Sequence, residues 1–180
     1  MKTTKSRHIV SLATIALGLL FFGSFSATAE QYTTGTQERD TALGRMLINI
    51  GHVSHFNAND FYVYTFMFRP EGSQQWHQVP RIEQENDPKM LFTLQTKHTA
   101  DAILFDARLI SFNQKTYLVT GHKETVNTLA DDGPVLVSIY HLVKLDDYER
   151  WVFLRKTTYK TVPKTSVEQA LSNAGKKLVE

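Results

Sequence analysis

Asp106 and Arg108 stand two residues apart in ADAILFDARLISF (100–112), an otherwise almost wholly apolar run. An acid and a base at that spacing on a strand share one face and can pair. Inside a core such a pair could hold a ligand or move a proton; on a wet face it is only an ion pair. Ile103, Phe105, Ala107 and Leu109 alternate to one side, Leu104, Asp106, Arg108 and Ile110 to the other. Burying an unpaired charge costs several kcal/mol, which the alternation avoids by putting both charges on the less apolar side. The expectation is a solvated ion pair on the outer face, with a ligand-facing role as its rival.

Histidines are the next candidates. His52 and His55, in GHVSHF, form an H-x-x-H pair. Such a pair binds zinc or copper from one helical face but needs further ligands, and Asp60 and His77 are the nearest guesses. On a strand the two would face opposite ways, so two surface imidazoles is the plainer expectation. His141 is the polar member of a row with Val135, Val137, Ile139, Val143 and Leu145. A histidine so placed is more often a core or edge residue bonded to a backbone carbonyl than a catalyst.

Tyr62, Tyr64, Phe66 and Phe68 line one strand face, with Trp76 opposite in a hairpin. They form either core or an aromatic binding surface. Core is the expectation, although tyrosine hydroxyls want a polar end. Arg155, Lys156, Lys160 and Lys164 make an anion-attracting edge, or the charges by which an edge strand resists aggregation. The sequence has no glycine-rich phosphate loop, H-E-x-x-H, G-x-S-x-G or S-x-x-K motif. It has no cysteine, which excludes disulfides, thiolate metal sites and a cysteine nucleophile. No cofactor is indicated, and the chain is expected not to be an enzyme.

The elements that must position these residues are mostly strands. Leu43, Met46, Leu47 and Ile50 fall at i, i+3, i+4 and i+7, which predicts a short N-terminal helix, with a strand as the alternative. From Phe61 the period becomes two. Phe61–Phe68, a turn at Glu71-Gly72-Ser73 and a return strand Gln75–Pro80 suggest a hairpin. Residues 81–89 read as a loop. Met90–Thr96, the 100–112 run, Thr116–Glu124, Val135–Leu145 and Trp151–Tyr159 read as further strands, the last two joined through Asp146-Asp147. A closing helix begins at a Thr165/Glu168 capping box and carries the stripe Val167, Ala170, Leu171, Ala174 and Leu178. The fold class is mainly β with α. It is an antiparallel sheet or sandwich of about six to seven strands, with the short N-terminal helix and the C-terminal amphipathic helix packed on the sheet.

Residues 1–29 read as a Sec-type signal peptide. Lys2, Lys5 and Arg7 precede an apolar core at 9–22, and Ala27-Thr28-Ala29 is a cleavage site before Glu30. An uncleaved membrane anchor is the rival reading. Three of the 20 Lys and Arg lie there and none of the 18 Asp and Glu, so the remainder carries 17 − 18, or −1. No nucleic-acid footprint and no stable membrane anchor after cleavage are expected. Residues 30–42 read as a flexible lead-in and 43–180 as a single β-rich domain, folding by burial alone in the periplasm.

The succession FYVYTFMFRPEGSQQWHQVP (61–80), LFTLQTKHTADAILFDARLISF (91–112), VLVSIYHLVKL (135–145) and VEQAL (167–171) resembles the CarG-like proteins. These are exported proteins of the carbapenem intrinsic-resistance (self-immunity) CarF/CarG group. The likeness rests on the aromatic first strand leading to Trp76 and Val79-Pro80, the string around Asp101 and Asp106, and the Tyr140-x-Leu142 pair. It implies a periplasmic protein that protects a cell from carbapenem without hydrolysing it, with the drug or a cell-wall transpeptidase as partner. Arg108, Arg155 or Lys156 beside Tyr62 or Tyr64, with Asp106 next to Arg108, would then supply the contacts for a carboxylate and a compact bicycle. The alternative is a periplasmic metal or small-ligand binding module working through His52 and His55.

Overall fold

The computed structural model describes residues 33–54, 60–99, 102–124, 133–146 and 149–178. The signal read at 1–29, the first lead-in residues, His55, Asp101 and Asp147 lie outside the described residues. Strands β1 (Gly35–Thr41), β2 (Gly44–Val53), β3 (Phe61–Pro70), β4 (His77–Gln78), β5 (Arg81–Ile82), β6 (Leu94–Gln95), β7 (Lys97–His98), β8 (Ile103–Phe112), β9 (Lys115–Lys123), β10 (Val135–Leu145) and β11 (Arg150–Lys160) come first in the chain. Helix α1 (Val167–Asn173) and a 3-10 turn at Ala174–Leu178 follow them. The β-rich fold with a C-terminal helix is as predicted, and seven of the strands have seven or more residues. One sheet runs β1-β2-β3-β4, with β6 also on β3; the other runs β5-β11-β10-β9-β8-β7. The parallel β5–β11 pair is the exception to antiparallel order.

Two expectations near the N-terminal side are corrected. Residues 44–53 are a strand and not a helix. Met46, Ile48 and Ile50 alternate inward and are buried, and β2 pairs with β3 from Gly44↔Pro70 to Val53↔Phe61. The local pattern suits either period, and the long ladder with β3 decides between them. Residues 35–41, expected within the flexible lead-in, form β1 along β2. Its polar side chains suit a sheet edge. Thr41 closes on Gly44, whose φ of +144° and lack of a Cβ are both required, because a Cβ there would run into the Arg69 carbonyl oxygen.

Three layers result. Met46, Ile48, Ile50, Tyr64, Phe66 and Phe68 face Ala107, Leu118, Tyr140, Leu142 and Phe153 across the sandwich. The far side of the second sheet, with Ile110, Tyr117, Val119, Val135, Val137 and Ile139, packs under Val167, Ala170, Leu171 and Ala174 of the helical segment. Each large side chain so buried contributes roughly 1.5–3 kcal/mol. The helix starts one residue later than the sequence suggests. Ser166 is the N-cap, its Oγ accepting from the Gln169 amide at 3.1 Å while Gln169 Oε1 accepts from the Ser166 amide at 3.1 Å. The Thr165 hydroxyl donates instead to the Val162 carbonyl.

Two bulges let single strands serve both cores. In β11, Tyr140 pairs with Arg155 and Ile139 with Thr157, leaving Lys156 as the extra residue. Trp151 and Phe153 therefore enter the sandwich, whereas Tyr159, of the same parity, packs toward the helix. In β8, His98 pairs with Ile103 and Lys97 with Phe105, leaving Leu104 over. Ile103 turns to the helix side and Phe105 to the sandwich, so the simple alternation predicted for this run fails at its start.

Candidate functional site

The expectation of a solvated Asp106–Arg108 pair is overturned. The two residues are only 9% and 7% exposed, because α1 lies over this face of β8. β7 reaches no farther than Phe105, so from Asp106 onward β8 is the edge of its sheet. There Asp106 Oδ1 accepts from the Ala107 amide at 2.7 Å and from the Tyr64 hydroxyl at 3.0 Å. The tyrosine comes from β3, so the carboxylate ties the two sheets together at their seam. Burial pushes the Asp106 carboxyl above the usual carboxylate range. The Ala107 amide, the Tyr64 hydroxyl, Arg108 and His98 pull it back down.

Arg108 takes a different path. Its Nη1 donates to Ser172 Oγ of α1 at 3.2 Å, and its buried Nε has no hydrogen-bond partner among the described residues. Among the described residues Asp106 and Arg108 form no close ion pair, and the arginine acts on the acid across space. A single guanidinium thus sits between the sheet and its helix, balanced by a carboxylate on the same strand.

Beside this pair, Tyr62 is half-buried. Its ring lies 5.1 Å from the His52 ring and 5.7 Å from the His98 ring. Buried Thr96 fixes the Tyr62 backbone, accepting from its amide at 2.9 Å and donating to its carbonyl at 2.8 Å. His52 Nε2 is 3.3 Å from Asp60 Oδ2, a carboxylate oxygen that also accepts from Ser54 at 3.2 Å. His98 Nε2 is buried without a partner. Among the described residues there is no group of three or more histidines and acids able to hold a metal ion. Tyr64, Phe66 and Phe68 are core, as expected of the aromatic stripe.

No protein-family model and no curated protein matches the chain. The crystal structure of CarG matches with a TM-score of 0.62 at 21% identity, covering 79% of this chain and 92% of that chain. The chain has the CarG fold. The architecture implied by the aromatic first strand, the β8 run and the closing helix is therefore observed as a fold, and the side chains of the seam are read from this chain alone.

Within the CarG fold the expected contact residues do not converge. Tyr64, Asp106 and Arg108 gather at the β8 edge, whereas Arg155 and Lys156 lie on β11, with β10 and β9 between. Arg155 is held by Glu83 at 2.6 Å, and Glu83 also accepts from the Tyr140 hydroxyl at 3.0 Å. Lys156 lies over the Tyr117 ring at 5.7 Å. His141 keeps its place in the apolar row, half-buried, but its imidazole has no hydrogen-bond partner among the described residues, so the expected carbonyl bond is not found there. Burial, then Lys156 and Lys115, hold its imidazole below the usual range, with Glu85 opposing. Sequence reasoning missed His98, Ser172 and Glu83. The partners of Asp106, Arg108 and Arg155 are 42, 64 and 72 positions distant or belong to other elements, and no local signal marks them.

Proposed function

We propose that the chain is an exported, non-catalytic factor that gives a cell tolerance of carbapenem, by binding the drug or shielding its transpeptidase target. The observation that carries this reading is the CarG fold, aligned over 92% of that chain. Two further features support it. Residues 1–29 carry the marks of a cleaved signal. Asp106, a buried acid held above the usual carboxylate range, is committed to Tyr64 and to its own backbone, and acts as a tether between sheets.

A susceptible host expressing the full chain, or the chain lacking residues 2–29, tests the reading. The full chain is expected to raise the carbapenem concentration that stops growth, and the truncated chain to leave it unchanged. Purified protein incubated with the drug should leave it intact. An unchanged growth limit with the full chain, or loss of the drug on incubation, overturns the proposal.

A further inference from the structure

On the helix-covered face of the second sheet, the apolar row ends in three groups that are cationic or become so. Lys115 and Tyr117 share this face on β9 with Val119, and Tyr117 pairs with His141 of β10. Lys156, of opposite parity to Phe153 and so on this face of β11, comes to the same spot, its Nζ 5.7 Å from the buried Tyr117 ring. Two other cations of β11 are neutralised: Arg155 by Glu83 at 2.6 Å and Lys160 by Glu124 at 2.8 Å. Lys115 and Lys156 are exposed and have no ion-pair partner among the described residues. Four charged or titratable groups face His141 or its ring neighbour: Lys115 and Tyr117 from β9, Lys156 from β11, and Glu85 from the segment after β5.

Like charges gathered on one spot repel, and an oxyanion placed among them turns that repulsion into charge-assisted hydrogen bonding. We propose that Lys115, His141 and Lys156 form a binding point for the oxyanion group, carboxylate or phosphate, of a small ligand. The buried Tyr117 ring is its floor, and Glu85 is the acid that entering anions must outcompete. This inference goes beyond the function proposed above and holds whether or not a carbapenem is the ligand.

The test follows the His141 imidazole by NMR over a pH titration of the full mature protein, the resonance being assigned with His141→Gln. Inorganic phosphate and acetate are the probes, with sodium chloride at matched ionic strength as the reference. Either probe should raise the His141 titration midpoint above the chloride reference, by about one pH unit at saturation. A Lys115→Gln/Lys156→Gln double variant, folded by circular dichroism, should lose that response. Acetate and phosphate acting alike marks a general oxyanion point, and phosphate acting alone marks a phosphate-bearing ligand. A response no larger than that to chloride, or one that survives in the double variant, overturns the proposal.

Discussion

The two faces of the β5-to-β7 sheet are packed by different kinds of side chain. Toward the sandwich the contacts are aromatic: Phe66 meets Phe153 edge-on with centroids 5.4 Å apart, and Phe68 meets Trp151 at 4.6 Å. Toward the helix they are mostly aliphatic and small, with Val135, Val137, Ile139 and Val119 under Val167, Ala170, Leu171 and Ala174, and the rings of Tyr117, Phe112 and Tyr159 packed with them. Two sheets pack about 10 Å apart, a gap that large rings fill. A helix lying on a sheet needs short side chains to come close, and Gly121 supplies the closest approach. A Cβ there would stand 3.2 Å from Val167 Cγ1 and 3.4 Å from Leu171 Cδ2. One face is therefore a joint between two sheets, and the other is a seat for a single helical segment.

The sharpest way to break this contrast is at Phe153, fully buried in the sandwich. Phe153→Ala should cost about 3–5 kcal/mol, because neither sheet can collapse into the space left. Urea denaturation measures it; a loss near that of a surface substitution would mean that the aromatic joint is not what holds the sheets. Gly121→Ala acts on the other face, at about 1–3 kcal/mol from overcrowding. Its signature should be local: faster amide exchange in residues 167–173 with the β2–β3 ladder unchanged. Uniform loss of protection in both would dissolve the distinction between joint and seat.

The smallest effect lies at the seam. Asp106 is raised above its ordinary value of 3.8 by burial. The stability linked to this acid is therefore fully present below that value and is lost as pH rises through its folded value. Asp106→Asn keeps an acceptor for the Tyr64 hydroxyl but cannot ionise, so its stability should lack this decline. Denaturation midpoints of the two proteins, compared stepwise from pH 4 upward, check it. Parallel profiles would show that the carboxyl is not titrating as a buried tether.

Much of this architecture is legible where one strand face is uniformly apolar. Tyr64, Phe66 and Phe68, and Val135, Val137 and Ile139, are placed correctly by alternation alone. Legibility fails where a distant partner decides. Met46 and Ile50 also fit a helical stripe with Leu43 and Leu47, and only pairing with β3 makes this stretch a strand. β1 has no apolar face of its own, so nothing local marks it. The Asp106–Arg108 face looks wet because its cover comes from α1, and Ser172, the contact that seats Arg108, is 64 residues away. A closing helix that must cover a sheet is readable from its stripe, but which face it covers is not. The same holds for Tyr159, whose direction depends on a bulge that the sequence does not announce.

The place of α1 in chain order has a consequence for how the molecule is made. All eleven described strands precede it, so a chain emerging N-terminus first, from synthesis or from export, carries its whole sheet framework before the element that roofs one side of it. Until residues 167–178 emerge, Val119, Val135, Val137 and Ile139 remain bare and Arg108 has no Ser172 to meet. A chain halted before that point would present a valine-rich surface to any chaperone at hand.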